Sequence, residues 1–193
     1  MTYRLAMHKE LRVAAYAVCV RDGHLLLARW VARDGGKHWT LPGGGMDHGE
    51  DPYDTVVREA EEETGYTVEP LALLGVDSIR RTYPRRFGAA DFQGLRIVYE
   101  ARVTGGELRH ETGGSTDMAA WHPLDEVPAL DRVGLVDVGL ALWRDRPAAG
   151  RVTGIPEHPE GARSQGAPLG SGPVGEGRPG RQDPSLPRQV NME

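Results

Sequence analysis

A disulfide cannot form within this chain, because its 193 residues contain a single cysteine, Cys19. With Tyr16, Val18 and Val20 around it, Cys19 reads as a buried thiol packing like a small hydrophobe. Nothing in cysteine usage marks an oxidising compartment. Long apolar runs are also lacking. None approaches the ~20 residues that span a bilayer, and the opening MTYRLAMHKELR is too polar for a secretory signal. A cytoplasmic protein without membrane contact is therefore expected. A large excess of either sign of charge is lacking too. The formal net charge of −5 argues against a dedicated nucleic-acid surface, although a locally basic site can still meet small phosphorylated ligands. No internal repeat is visible, and the histidines lack the spacing of a zinc site.

Aromatics disappear from the last quarter of the chain. Residues 147–193 hold nine Gly and eight Pro and no Phe, Trp or Tyr, while five Arg and five acidic residues cancel. Such a segment cannot bury enough apolar area to offset its ordering entropy, so a disordered tail is expected over 147–193. One folded domain is expected over 10–146.

Within that domain, strand and helix signals alternate. Leu11–Val20 and His24–Val31 are apolar and β-branched, with Arg21-Asp22-Gly23 as a turn between them, so they read as a hairpin. A short extended piece, Trp39–Pro42, leads into a glycine cluster. Thr67–Asp77, Gln93–Val103 and Met118–His122 read as further strands. Asp131–Arg144 places Val133, Val136, Leu140 and Trp143 at helical spacing. This is a mixed α/β chain of the α+β type, not the regular alternation of a doubly wound sheet.

The chemistry is concentrated in Gly43–Tyr66, GGGMDHGEDPYDTVVREAEEETGY. Asp51 suits an N-cap, Pro52 the first helical position and Gly65 a left-handed stop, which predicts a helix over Pro52–Thr64. At 100° per residue, Tyr53, Val56, Val57, Ala60 and Thr64 gather toward the sheet, and Glu59, Glu62 and Glu63 gather nearly opposite. Three carboxylates on one patch repel each other, relieved only in part by an i,i+4 pairing of Arg58 with Glu62. Such a patch is either a solvated acidic face or a ligand set for a hard divalent cation.

Gly44, Glu50, Arg58, Glu59, Ala60, Glu62, Glu63 and Gly65 fit G-x5-E-x7-R-E-U-x-E-E-x-G-U, the spacing of the Nudix box, and Trp39-Thr40-Leu41-Pro42-Gly43 is similar to that family's lead-in. Only Tyr66 departs, where an aliphatic residue is usual. The resemblance covers about residues 10–146. It implies the Nudix fold, a mixed β-sheet sandwiched between helices, and hydrolysis of a phosphoanhydride bond in a nucleoside diphosphate linked to another moiety, with Mg²⁺, or alternatively Mn²⁺, as cofactor. It further implies Glu59, Glu63, Glu62 and the carbonyl of Gly44 as metal ligands, Arg58 as their orienting partner and Glu50 as a support for the loop.

In this family the general base lies inside or outside the box, and Glu111 and Asp117 are the outside candidates. For a small-molecule nucleotide substrate, Arg29, Arg81 and Arg85 are candidate phosphate ligands. Tyr83 is a candidate stacking residue in the basic run Ser78–Gly88, read as a loop. Two rivals share the fold. A non-catalytic module sensing a nucleotide metabolite would be expected to lose box glutamates, and all are present here. A prenyl-diphosphate isomerase wants a catalytic cysteine, and Cys19 lies well upstream of the box.

Overall fold

The structure, a computed structural model, describes residues 7–32, 34–85 and 88–155, with only the backbone of Arg85 and Gly88. Eight strands and two α-helices follow one another along the chain. They are β1 (Met7–Val18), β2 (Val20–Arg21), β3 (His24–Val31), β4 (Lys37–Thr40), β5 (Gly43–Gly45), α1 (Pro52–Thr64), β6 (Tyr66–Arg85), β7 (Gly88–Gly106), β8 (Thr116–Pro123) and α2 (Gly134–Asp145), with a 3-10 turn at Val127–Ala129.

The strands form two sheets. One has the order β5-β1-β7-β6, and in it β1 runs parallel to β7 while the other pairs are antiparallel. In the second, β3 pairs with β2, β4 and β8, all antiparallel. Strands β1 and β3 are apolar on both faces because each is covered on both sides. Ala14, Tyr16, Val18, Leu25 and Leu27 pack with Leu135 and its neighbours on α2. The alternate residues Ala15, Ala17, Cys19 and Leu26 pack with Val56 and Ala60 of α1. The strand period of two thus sends successive side chains into opposite helix layers. The result is the expected sheet sandwiched between helices.

Several sequence-based expectations change in detail. The hairpin between Leu11–Val20 and His24–Val31 shrinks to Val20–Arg21 against His24–Leu25. It closes through Asp22 and Gly23, both left-handed at φ 50° and 74°, as a two-residue hairpin turn requires. Strand β1 instead belongs to the other sheet. Ser78–Arg85, read as part of a loop, belongs instead to strand β6, with backbone pairing to β7 that runs through Tyr83↔Ala90 to Arg85↔Gly88. Helix α2 begins at Gly134, later than Asp131, because residues 131–133 are occupied by a bridge to Trp39. Trp39 N donates to Asp131 O, and Val133 N donates to Trp39 O, each at 2.9 Å.

Part of the segment expected to be a tail packs on the domain: Val76 N on β6 donates to Gly150 O at 3.0 Å, and Val152 and Ile155 pack against the core cluster. Residues 156–193 lie outside the described residues. No helix among the described residues is long and apolar enough to cross a membrane.

Truncation separates the two parts of the segment. Removing residues 147–193 should lower stability by about 1–3 kcal/mol relative to removing 156–193, from the lost burial of Val152 and Ile155. Thermal melts of both truncations check this, and superimposable curves would show that 147–155 adds nothing.

Candidate active site

The site is built where β5 and α1 approach each other. β5 is an edge strand paired with Ala14–Tyr16 of β1. It consists of three glycines, and the spacing demands it. A Cβ on Gly43, where φ is 138°, would sit 2.2 Å from Ala15 O, and one on Gly44 would sit 2.7 Å from both oxygens of Glu59. No side chain fits in that gap.

Helix α1 starts as predicted. The Asp51 carboxylate accepts from Tyr53 N at 2.8 Å, Pro52 follows, and Gly65 closes the helix in the left-handed region at φ 76°. Its buried residues are Thr55, Val56, Ala60, Glu63 and Thr64. Glu63 therefore stands on the packed face of the helix, while Tyr53 is 42% exposed. The packed arc is turned toward Glu63 relative to the one the apolar residues alone suggest, because the glycine strand lets a carboxylate pack where a larger neighbour would not.

Arg58 holds the polar side together. Nε and Nη2 donate to the two oxygens of Glu50 at 2.8 and 2.9 Å. Nη1 donates to Glu59 at 2.9 Å and to Glu62 at 3.3 Å, and Nη2 also donates to Gly45 O at 3.2 Å. One planar cation thus ties the loop, the helix and the glycine strand, a geometry suited to guanidinium. Glu50 additionally accepts from Asp47 N and Thr55 Oγ1 at 3.0 and 2.8 Å. Its contact with Arg58, foremost, holds its pKa down at about 2. It acts as the loop support expected of it.

Glu63 has the opposite environment. It is 4% exposed, and Oε2 accepts one hydrogen bond, from Gly43 N at 2.9 Å. Burial first, then the charges of Glu59, Glu111 and Glu62, push its pKa well above the ordinary 4.5, with the Gly43 bond opposing. Glu59 is raised as well, chiefly by burial, with Arg58 opposing.

The remaining candidates fall into groups. Glu62 is half exposed and turned to Arg58, so the three box carboxylates do not point at one spot. Glu111 lies near enough to act on Glu63, and its Oε2 accepts from Thr116 N and Oγ1 at 2.9 and 2.6 Å. Asp117 is occupied by Arg29 Nε and Lys37 Nζ, at 2.8 and 2.6 Å, which hold its pKa near 2. Arg29, paired there and 5.7 Å from the Trp39 ring centroid, supports the β3–β8 sheet. Tyr83 donates to Glu10 across β7, and Arg81 shares its face of β6, two residues away. The side chain of Arg85 lies outside the described residues. The sequence reading passed over Arg12, whose guanidinium lies against Gly45. The two-residue alternation of β1 around buried Ala14 and Tyr16 was the available signal.

The donor set suits a hard divalent cation. Glu59 and Glu63 are carboxylates of one helix laid against a bare glycine backbone, and no cation is among the groups acting on Glu63. Among the described residues no three His, Cys, Asp or Glu side chains form a complete cage. Mg²⁺ commonly uses one or two carboxylates and fills its shell with water and substrate oxygens, so the residues present fit.

The buried carboxylate has a measurable consequence. An acid whose folded pKa is raised binds its proton more tightly when folded, so stability falls as pH climbs above the unfolded value of 4.5 toward the folded one. The penalty is absent below that window and complete above it. Without divalent metal, Glu63→Gln should therefore be more stable than the parent at neutral pH, and the gain should vanish below pH 4.5. Chemical denaturation at several pH values tests this; a less stable variant at neutral pH would remove the penalty assigned to Glu63.

Comparison with known proteins places this geometry. A family model described as a NUDIX domain matches residues 10–140. A putative ADP-ribose pyrophosphatase of Bacillus subtilis is 36% identical over 114 residues, 57% of this chain and 49% of that protein. An ADP-ribose pyrophosphatase of Methanocaldococcus jannaschii is 33% identical over 128 residues, 66% of this chain and 70% of that protein. A solved NUDIX hydrolase from Nitrosomonas europaea shares the fold, with a TM-score of 0.57 at 24% identity over 70% of this chain and 90% of that one. The chain spans about half the length of the Bacillus relative and less of several others. With residues 10–140 matched, the loop–helix–loop built on β5 and α1 is a Nudix box, and this chain belongs to the Nudix family.

Proposed function

We propose that this chain hydrolyses a phosphoanhydride bond in a nucleoside diphosphate linked to another moiety. The observation that carries the reading is Glu63, a buried carboxylate facing the charges of Glu59, Glu62 and Glu111. A fold retains such repulsion where a ligand relieves it. Nudix hydrolases generally use divalent metal ions, and Mg²⁺, or Mn²⁺ in its place, is the proposed ion here. Glu59, Glu63 and the Gly44 carbonyl would hold it, with Glu62 contributing through water. When bound, the cation supplies positive charge against the negative charge that develops on the diphosphate.

The protein groups have separate tasks. Gly43 N–H fixes the Glu63 carboxylate, and Arg58 fixes Glu59 while holding the Gly45 backbone. Glu111 is the better candidate for general base. Thr116 orients Oε2 and leaves Oε1 able to accept a proton from water. Asp117, held near pKa 2 by two cations, is a poor proton acceptor near neutral pH. The intact charged box positions weigh against a sensing module. ADP-ribose, named for both curated relatives above, is the first substrate to assay within the class.

Turnover of a panel of ADP-ribose, sugar nucleotides, dinucleoside polyphosphates and nucleoside triphosphates with Mg²⁺ tests the reading. Glu63→Gln should lose about a hundredfold or more in kcat, and Glu111→Gln should lose more than Asp117→Asn. A Glu63→Gln enzyme above half of parental activity would overturn the ligand assignment. The reverse order at positions 111 and 117 would move the base to Asp117.

Metal binding should also register as stability. Binding to the native state alone adds RT ln(1 + [L]/Kd), about 2.7 kcal/mol at a hundredfold excess over Kd. Melts in MgCl₂ and in NaCl at equal ionic strength should differ. Identical curves, with MnCl₂ as well, would remove the metal site.

A further inference from the structure

Arg12 is set apart from most of the other arginines. Arg29, Arg58, Arg80, Arg102, Arg132 and Arg146 each form an ion pair with a carboxylate. Among the described residues Arg12 forms no hydrogen bond or ion pair, and its charge is felt at Glu59. It is only half exposed. A guanidinium partly withdrawn from water without a fixed partner is costly, so its surroundings carry information.

Two of the backbone positions beside it are glycines. On β7 the residue opposite Arg12 is Gly94. On β5 the nearest backbone is Gly45, where a Cβ would fall 2.4 Å from Arg12 Nη2 and 2.9 Å from Nε. Gly44 and Gly45 are consecutive, and a strand turns successive residues to opposite faces. Gly44 lies against the Glu59 carboxylate on the α1 side, and Gly45 lies against Arg12 on the other. β5 is the edge of its sheet, so a ligand lying over that edge reaches the carboxylates and Arg12 together. Gly44 and Gly45 are adjacent in the strand, ~3.8 Å between Cα atoms, so the carboxylate and the guanidinium flank the same short stretch of this edge.

We propose that Arg12 is a phosphate ligand of the substrate, binding one phosphate of a nucleoside diphosphate across the β5 edge while the glutamates face the other. This rests on the hydrolase reading above and adds a residue and a side of approach to it. The nucleoside end of the ligand then lies along the face shared by Arg12, Phe92 and Tyr83, whose positions are linked by strand register as Arg12↔Gly94, Phe92↔Arg81 and Ala90↔Tyr83. Bidentate binding of phosphate oxygens by guanidinium supplies both attraction and orientation, which an ammonium reproduces only in part.

The test is calorimetric titration with α,β-methylene-ADP, a diphosphate analogue with no cleavable bridge, in MgCl₂. Parent, Arg12→Ala, Arg12→Lys and Arg144→Ala proteins are compared. Arg144 is exposed in the last turn of α2, away from β5 and α1. Arg12→Ala should weaken binding about tenfold or more, Arg12→Lys should recover part of the loss, and Arg144→Ala should bind like the parent. In turnover the Arg12→Ala effect should fall mainly on KM. Melting curves check that the variants are folded, and Arg12→Lys serves if Arg12→Ala is not. A purely structural Arg12 would shift the melt and leave the analogue affinity alone. Parental binding with an unchanged affinity in both Arg12 variants overturns the role of Arg12 and leaves the hydrolase reading standing. A parent protein that neither binds the analogue nor turns over any nucleotide overturns both.

Discussion

The close approach of a glycine strand to a glutamate-bearing helix is the constraint on which the rest of this molecule depends. A Cβ at Gly44 would meet the Glu59 carboxylate at 2.7 Å, and one at Gly43 would meet the β1 backbone at 2.2 Å. Only bare backbone lets β5 pair with β1 and still admit α1 carboxylates from the other side. The helix must then begin at a fixed point, which Asp51 and Pro52 ensure, and Arg58 must span loop, helix and strand to hold the distance. A substitution at Gly44 would act by moving Glu59 rather than by disturbing the core.

Holding the carboxylates there is unfavourable in isolation. Glu63 is buried with one hydrogen bond and three acidic neighbours. The compensation comes from the two strands that run through both cores. Residues of β1 and β3 alternate between the α1 cluster and the α2 cluster, so each residue along their central stretch buries apolar surface. At roughly 25 cal/mol per Å² of buried apolar area, a few such side chains offset the repulsion at the site. The double-sided sheet does more than connect the helices, since it supplies the stability that a strained acidic site consumes.

The box and its helix were legible in the sequence because their signals are local. Asp51, Pro52 and Gly65 act within a turn of where they stand, and the spacing from Gly44 to Gly65 is a property of one segment. What was not legible depends on partners distant in sequence. Asp117 reads as a loop acid until Arg29 and Lys37, more than seventy residues away, are seen to hold it. Ser78–Gly88 reads as a basic loop until β7 pairs with it residue by residue. Glu63 reads as exposed because a helical wheel seeks apolar neighbours, and the glycines that bury it are twenty residues upstream. Arg12 was missed for the same reason: its importance comes from two glycines on two other strands.

Charge links these observations. A protein of net charge −5 with several glutamates at its site repels a diphosphate at long range, so attraction must be local. In the proposed reading, a divalent cation held by the glutamates would reverse the sign on one side of β5, and Arg12 would supply positive charge on the other side of the same strand. Most of the other arginines among the described residues are paired with Asp or Glu, and such pairs present little net field to a ligand. The consequence is a division of labour among residues of one type. Arginines with a fixed carboxylate partner hold strands and loops in register, whereas Arg12, laid over Gly45, would be available to a phosphate in the proposed reading. On the proposed reading, binding energy would then be confined to the β5 edge, and the acidic remainder of the surface would not compete for it.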